Sequence, residues 1–182
     1  MDYEGVNYNR ALLTESEYED CVFNNCIFSE VDLSGINFKE CSFQNCDFSL
    51  AKVNNTGFND AKFINCKMLG LHFDKVNVFL LAVDFENCFL SMSSFYKLDL
   101  TKTRFKDCNL QEVDFSDADL TSSLFDNCDL QGAKFNHTNL EKVDFRTSFY
   151  YSINPETNRL KKAKFSINGI IGLLDKYGII VD

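Results

Sequence analysis

The sequence predicts an all-β fold, a right-handed quadrilateral β-helix that ends in a short C-terminal α-helix. Two periods predict it: an apolar residue recurs every five positions, and cysteine recurs every 20 positions along much of the chain. Neither period matches the turn of about 3.6 residues in an α-helix or the alternation of an extended strand. A chain that turns through a right angle after every five residues, and returns to the same face after four such units, accounts for both periods.

The five-residue period occupies two frames. From Tyr3 to Val78 every fifth residue is apolar, and a second frame, shifted by two residues, runs from Phe85 to Tyr150. The residue two positions before each of these is mostly small or β-branched, and the remaining positions are mostly polar. We therefore expect both series to point inward, with the large side chains along the axis. The frame slip near residues 79–82 should form a local bulge that leaves the stacking intact and is too short to project far.

The cysteines define the number of units per coil. Six of them recur at intervals of 20 residues except at the frame slip, namely Cys26, Cys46, Cys66, Cys88, Cys108 and Cys128. Four units per coil would stack them about 4.8 Å apart, the spacing of neighbouring strands. An even number of cysteines can indicate disulfides or a metal site. Because Ala, Ser, Thr and Val fill the same position elsewhere, we predict that all eight cysteines are reduced core side chains.

The five-residue rule ends after Phe165, which divides the chain into a solenoid over residues 1–165, irregular at 153–157, and a tail over residues 166–182. Apolar residues at helical spacing are followed by Gly178, a common helix terminator. An exposed end coil needs a cap, and the final strand exceeds what a cap requires. We expect the tail to form a homodimer interface as well, through Ile170, Leu173, Leu174, Tyr177, Ile179 and Val181.

The charge is strongly acidic over most of the chain. The net charge is −9, and residues 1–150 carry 24 acids and 13 bases, whereas residues 151–182 carry 3 acids and 5 bases. An acidic body argues against direct binding to nucleic acid, because phosphate contacts require Lys and Arg. The sequence shows neither a signal-peptide pattern nor an apolar run long enough for a membrane span. We therefore expect a cytoplasmic protein.

Two outward surfaces are candidates for partner binding. The first is an acidic face, in which Asp20, Glu40 and Asp60 fall on successive coils as a column; its members are Glu17, Glu19, Asp20, Glu40, Asp60, Asp99, Asp119 and Glu141. A preference for Asp at turns would produce the same pattern. The second is an apolar strip, which either marks a contact site or reflects drift of an imperfect repeat; it contains Ile27, Leu50, Leu69, Phe89, Met92 and Phe149.

The sequence contains no recognisable catalytic or ligand-binding motif. It contains no Gly-rich phosphate loop, no metal-ligand spacing and no nucleophile motif. A solenoid filled by its own side chains also lacks the concave pocket that an active site needs. We expect neither catalytic activity nor a cofactor nor a bound metal.

Several five-residue units carry a family resemblance. Val31–Gly35 (VDLSG) and Ala118–Ser122 (ADLTS) resemble the A(D/N)LXX signature of the pentapeptide-repeat family. Near the C-terminus, Asn154–Arg159 (NPETNR) and the apolar segment after it resemble the microcin-immunity protein of enteric bacteria. The tail is also similar to that of the Qnr-type quinolone-resistance proteins.

This resemblance implies a function. It implies a cytoplasmic homodimer joined at its C-termini, an acidic rod that mimics DNA and binds DNA gyrase or topoisomerase IV, giving resistance or immunity to quinolones or microcin. The long projecting loops of Qnr proteins from Gram-negative bacteria have no counterpart before residue 150. The alternative function is a generic interaction scaffold whose partner is unrelated to DNA and binds the apolar strip.

Overall fold

The computed structural model describes residues 1–179, apart from the side chain of Leu80, and in that range shows a solenoid of short parallel strands. The strands are β1 (Asp2–Glu4), β2 (Glu17–Glu19), β3 (Val22–Asn24), β4 (Asn37–Lys39), β5 (Ser42–Gln44), β6 (Gly57–Asn59), β7 (Ala61–Ile64), β8 (Val83–Glu86), β9 (Arg104–Lys106) and β10 (Leu124–Asp126). β1, β3, β5, β7, β8, β9 and β10 form one parallel sheet, and β2, β4 and β6 form another. The predicted β-helix is confirmed.

The strands pair with a register of 20 residues, which defines four faces. Phe23 pairs with Phe43, and Phe38 pairs with Phe58. We number the faces in chain order. Face 1 contains the seven-stranded sheet, face 4 contains the three-stranded sheet, and faces 2 and 3 are linked by single bridges such as Ile27 with Asp47 and Ser94 with Asp114. Backbone N–H groups of one coil donate to carbonyls of the next, so each coil is a template for its neighbour.

Aromatic rings fill the axis of the solenoid. On face 1 the rings of consecutive coils stack with centroids between 4.6 and 5.5 Å apart, through Tyr3, Phe23, Phe43, Phe63, Phe85, Phe105, Phe125, Phe145 and Phe165. Rings of opposite faces meet edge to face, as Phe105 of face 1 and Phe115 of face 3 do at 5.8 Å and 79°. Both arrangements suit the quadrupole of an aromatic ring. The core is therefore a continuous aromatic column.

Residues with positive φ make the corners between faces. Among the non-glycine residues of 1–179, 22 positions have φ between 51° and 65°, and ten of these are Asn or Asp, the residue types that tolerate this conformation best. At the corner between faces 1 and 2 the asparagines also form a ladder. Asn87 Nδ2 donates to Asn65 Oδ1 at 2.7 Å, and Asn65 Nδ2 donates to Asn45 Oδ1 at 3.2 Å.

All eight cysteines are buried and unpaired. The thiol of Cys66 donates to the carbonyl of Phe43 on the previous coil at 3.3 Å. Hydroxyls do the same elsewhere in this position, since Ser93 Oγ donates to Met68 O at 2.7 Å and Thr56 Oγ1 donates to Leu33 O at 2.8 Å. Burial raises the pKa of the Cys41 thiol to about 11. The position therefore requires a small side chain, which donates to a buried carbonyl where it is Cys, Ser or Thr, and sulfur is not required for it.

The frame slip forms a bulge over Asn77–Ala82 that includes a 3₁₀ turn at Val78–Leu80. The prediction that Val78 points inward is wrong, because Val78 is 55% exposed and Leu81 packs against the core instead. Stacking continues past the bulge, with Phe63 and Phe85 5.4 Å apart. The bulge is short, as expected, but it turns Phe79 into solvent with 94% exposure.

The end of the solenoid departs from the predicted pattern in a second place. Tyr150 was expected inside but is 70% exposed at a corner with φ of 61°, and Tyr151 is buried in its stead. The change is a local shift of one residue, because the 20-residue register resumes after it, with Asn139 paired to Arg159 and Phe145 stacked on Phe165. A regular five-residue count cannot register such a slip when two tyrosines are adjacent.

The tail contains 3₁₀ turns at Gly169–Leu173 and Asp175–Tyr177 where an α-helix was predicted. Two glycines explain the difference, because they lower helix propensity and allow a close approach to Tyr151. A Cβ atom at Gly172 would lie 2.0 Å from the carbonyl oxygen of Tyr151, and one at Gly169 would lie 2.0 Å from its hydroxyl. The Gly172 carbonyl accepts a hydrogen bond from Ile153 N at 2.9 Å. The tail thus packs directly on the last coil.

Candidate partner-binding surface

The outward surfaces of the solenoid carry both candidate sites that the sequence predicts. Within residues 1–179 no group of three or more His, Cys, Asp or Glu side chains could hold a metal ion. Over the same residues no helix is both long and apolar enough to cross a bilayer. The side chains that remain available to a partner are the outward residues of the four faces and the corners.

The N-terminal half of face 4 brings five of the predicted acids together. Strands β2, β4 and β6 and the corners after them present what we call the acidic segment: Glu17, Glu19, Asp20, Glu40 and Asp60. All five are exposed, and the one base among them is Lys39, which pairs with Glu19. That contact raises the pKa of Lys39. The segment is a continuous negative surface.

Asp20, Glu40 and Asp60 form the predicted column at the corner between faces 4 and 1. Their φ angles are 51°, 54° and 52°, so each makes a turn of the solenoid. The backbone N–H of Asp20 donates to Lys39 O at 3.1 Å, and that of Glu40 donates to Asn59 O at 2.7 Å. Their carboxylates make no hydrogen bond or ion pair with residues 1–179 and remain free for a partner. Turn chemistry favours Asp here, but it gives no reason for Glu40.

The other acids of the predicted site lie on face 4 beyond the bulge and differ in character. Asp99 Oδ1 accepts a hydrogen bond from Thr101 N at 3.0 Å. Asp119 accepts from Thr121 N at 2.9 Å and from Asn139 Nδ2 at 3.1 Å. Burial alone would raise the pKa of Asp119, but these hydrogen bonds outweigh it and lower the pKa. Asp99 and Asp119 are therefore engaged in turns, unlike the free column.

The C-terminal half of face 4 is basic, which the sequence reasoning missed. Arg159 continues this face, since it bridges to Asn139. The half after the bulge carries the acids Asp99, Asp119 and Glu141 against five bases, Lys102, Lys142, Arg159, Lys161 and Lys162. The 20-residue register runs through the irregular repeat, so counting on from Asn139 and Lys142 would have assigned Arg159 and Lys162 to this face. The acidic surface is confined to the N-terminal half.

The apolar strip is only partly contiguous. Four members lie on three successive coils of face 2 and are between 45% and 60% exposed: Leu50, Leu69, Phe89 and Met92. Leu50 covers Gly70, where a Cβ would meet its side chain at 3.1 Å. Ile27 stands apart, because Asp47 and Lys67 separate it from Phe89 along the bridges of this face. Phe149 lies further along the rod beside Tyr150.

The predicted dimer residues divide between contact with the rod and exposure. Leu173 packs against the core and Leu174 is half-buried, whereas Ile170, Tyr177 and Ile179 are each at least half exposed. The Tyr177 hydroxyl donates to Glu156 Oε1 at 3.0 Å, and Lys176 pairs with the same carboxylate. Val181 lies outside the described residues.

The chain is similar to known proteins in sequence pattern and in fold. Residues 1–63 and 78–150 match the sequence model of a family described as a pentapeptide repeat region. The structure is similar to that of a trypsin-treated variant of QnrB1, a plasmid-mediated fluoroquinolone resistance protein, with a TM-score of 0.66 and 20% identity over 100% of this chain and 98% of that chain. At that identity the similarity shows the fold alone.

Other pentapeptide repeat proteins of known structure are less similar, and we base no conclusion on them. HetL, a pentapeptide repeat protein of the cyanobacterium Nostoc sp. strain PCC 7120, has a TM-score of 0.29 and 14% identity, over 92% of this chain and 89% of that chain. A pentapeptide repeat protein of the Arabidopsis thaliana thylakoid lumen has a TM-score of 0.33 and 16% identity, over 90% and 91%. The chain has no significant sequence match among curated proteins.

Proposed function

The chain belongs to the pentapeptide-repeat family, and from that premise we propose that it is a non-catalytic, DNA-mimicking rod that binds DNA gyrase or topoisomerase IV. In this role it acts in the cytoplasm and gives resistance or immunity to quinolones or microcin. The observation that carries the proposal is the free acidic column of Asp20, Glu40 and Asp60. The tail resemblance, and the fold shared with a fluoroquinolone resistance protein, are the reasons for choosing this class of enzyme.

The acidic segment suits a partner that binds DNA through basic residues. Its carboxylates repeat at about 4.8 Å, the coil step, whereas phosphates of one DNA strand repeat at about 3.4 Å. The mimicry is therefore one of charge density along a rod and not of phosphate register. Such association depends on exposed charges, which salt screens over about 8 Å at physiological ionic strength. Binding should weaken steeply as salt is raised.

A gyrase supercoiling assay containing a quinolone tests the proposal. The parent protein should restore supercoiling, and the triple variant Asp20→Lys, Glu40→Lys, Asp60→Lys should not. Lysine already occupies equivalent corners with positive φ at positions 102, 142 and 162, so the variant should fold. The matched control reverses three acids at other corners, Glu30, Glu112 and Asp117, and should protect as the parent does. Equal protection by both triple variants would exclude this column as the binding surface.

We further propose that the protein is a homodimer joined through its tail. Ile170, Tyr177 and Ile179 remain exposed after the tail has packed on the last coil. Isologous pairing is the commonest way to bury such a patch. Light scattering should give twice the chain mass of 20.9 kDa, and Ile170→Glu with Tyr177→Glu should reduce it to one chain. A parent that scatters as a single chain at tens of micromolar contradicts the tail dimer.

A scaffold with a partner unrelated to DNA is the second candidate. It is favoured by the contiguous part of the apolar strip, in which Leu50, Phe89 and Met92 are each more than half exposed. If quinolone protection survives reversal of the acidic column but is lost in a Phe89→Asp, Met92→Asp variant, the partner is still the topoisomerase and the strip is its contact surface. If the parent gives no protection at all, the partner is not this enzyme.

A further inference from the structure

One corner of the rod carries opposite charges at its two ends. Coil by coil, the corner between faces 4 and 1 is occupied by Asp20, Glu40, Asp60, Ala82, Lys102, Ser122, Lys142 and Lys162. All eight residues are exposed. Backbone hydrogen bonds hold the coils in register along this corner, for example Lys102 N to Thr121 O at 3.0 Å and Lys142 N to Lys161 O at 3.0 Å. The bulge separates the three acids from the three lysines.

The three other corners show no such division. The corner between faces 1 and 2 is mostly asparagine, and the remaining two mix charged, apolar and glycine residues along their length. The division comes from the corner itself, because the other residues of face 4 are two acids and one base before the bulge and three acids and two bases after it. The polarity therefore belongs to this edge of the rod and not to the composition of the chain as a whole.

An apolar side chain and an open groove stand at the midpoint of this edge. Phe79 is 94% exposed and Val78 is 55% exposed. Beside them lies a groove of about 390 Å³, lined by Val78 and Leu81 of the bulge and by residues around the divided corner, including Asp60 and Lys102. Pockets of about 300–1,000 Å³ accommodate small-molecule ligands, so this groove has room for a phenyl ring.

We propose that a second copy of this chain docks antiparallel along the divided corner, with its Phe79 in the groove of the first copy. A two-fold axis between Ala82 and Lys102 places Asp20 opposite the other copy's Lys162 and Glu40 opposite its Lys142. In this register Asp60 lies opposite Ser122 and Lys102 opposite Ala82, near the axis. The corner spans about 34 Å at ~4.8 Å per coil, so the pairs repeat on both sides of the axis. A parallel alignment would set acids against acids, which disfavours it.

The resulting contact has Phe79 and Val78 of each copy at its centre, in a groove that Val78 and Leu81 line together with charged residues such as Asp60 and Lys102, and it has charged pairs toward its ends. Exposed ion pairs contribute little individually, so the association is weak and sensitive to salt, and Phe79 contributes a large part of it. The pairing uses a different surface from the tail and is independent of the proposed function. It covers Asp20, Glu40 and Asp60, so a partner that binds the acidic column competes with it.

Sedimentation equilibrium of charge-swapped full-length proteins tests this pairing. One variant carries lysine at 20, 40 and 60, and the other carries glutamate at 102, 142 and 162. At low salt the parent should associate, each variant alone should not, and an equimolar mixture of the two should recover the association. A dimer formed through the tail would be present equally in the parent, in each variant and in the mixture, so it does not affect the differences in mass between these samples. Variants that associate alone as the parent does, or a mixture no heavier than its components, would overturn the proposal.

The apolar centre is tested by Phe79→Ser, compared with Phe89→Ser on face 2 as the matched control. Both side chains are exposed, so neither change should affect folding. Phe79→Ser should abolish the association of the parent and of the charge-swapped mixture, and Phe89→Ser should leave both unchanged. Equal effects of the two changes would show that the bulge is not at the contact.

Discussion

Replacing Phe105 by alanine removes one ring from the middle of the aromatic column. Phe105 is fully buried, with Phe85 stacked at 5.2 Å on one side and Phe125 at 4.8 Å on the other. The rings of Phe95 and Phe115 meet it edge to face at 5.9 and 5.8 Å. The cavity is bordered by two stacked coils, and neither can collapse into it without losing its own backbone register.

The expected loss in the free energy of unfolding follows from these contacts. Truncation of a buried phenylalanine costs about 3–5 kcal/mol, and aromatic pairs add about 0.5–1.5 kcal/mol each beyond area burial. Solenoid stability depends on contacts between neighbouring repeats, and Phe105 has neighbours on both sides. We expect a loss of about 4–5 kcal/mol. Tyr3→Ala should cost about half as much, because Tyr3 is half-buried and stacks on one ring only, Phe23 at 4.6 Å.

Urea unfolding followed by circular dichroism measures these losses, provided that the m-value is unchanged. Phe89→Ala is the control, since Phe89 is 55% exposed on an outer face and should change stability by less than about 0.5 kcal/mol. The reasoning is refuted if Phe105→Ala costs less than about 1 kcal/mol, or if Phe89→Ala costs as much as Phe105→Ala.

Three further predictions follow from individual contacts. Cys66→Ser should stay folded and soluble, because Ser93 and Ser123 already donate to the equivalent carbonyls at 2.7 and 2.8 Å. No thiol of the native parent should react with a thiol reagent, whereas all eight should react in denaturant. Unfolding of Cys66→Ser, or rapid labelling of the native parent, contradicts this. Gly172→Ala should release the tail, since its Cβ would lie 2.0 Å from the Tyr151 carbonyl oxygen; limited proteolysis should then cut the tail faster than in Ile167→Ala, and equal rates contradict it. Hydrogen bonds from Arg146 lower the pKa of Asp144, so the free energy of unfolding should fall as pH drops below about 4. The fall should be smaller in Asp144→Asn than in the parent. Identical pH profiles of the two proteins contradict this contribution.

Much of the fold could be predicted because the repeat leaves few choices. A residue such as Phe63 has the same place in every coil, so five- and twenty-residue counts suffice to assign its face and its neighbours. Counting fails where the frame slips, because an insertion of one or two residues can be placed at several points. Val78 and Tyr150 were therefore assigned inward, whereas Leu81 and Tyr151 take those positions.

The tail and the surface were predicted less completely, for separate physical reasons. Helical spacing of apolar residues does not distinguish an α-helix from two short 3₁₀ turns, and the close approach of Gly172 to Tyr151 is a tertiary contact with no local signal. The acidic column was identified because it follows the coil period. Phe79 was missed because its exposure depends on how the bulge folds, whereas Arg159 keeps the 20-residue register and could have been assigned by counting on from Asn139.

Displacement of DNA from gyrase is the direct measure of whether the acidic column mimics DNA. A fluorescently labelled duplex bound to the enzyme loses anisotropy when a competitor displaces it from the DNA-binding surface. We predict that the parent displaces the duplex in a dose-dependent manner that weakens with salt, and that the variant with lysine at 20, 40 and 60 does not, while the control with lysine at 30, 112 and 117 does. Unchanged anisotropy with the parent, or equal displacement by both variants, would contradict the account.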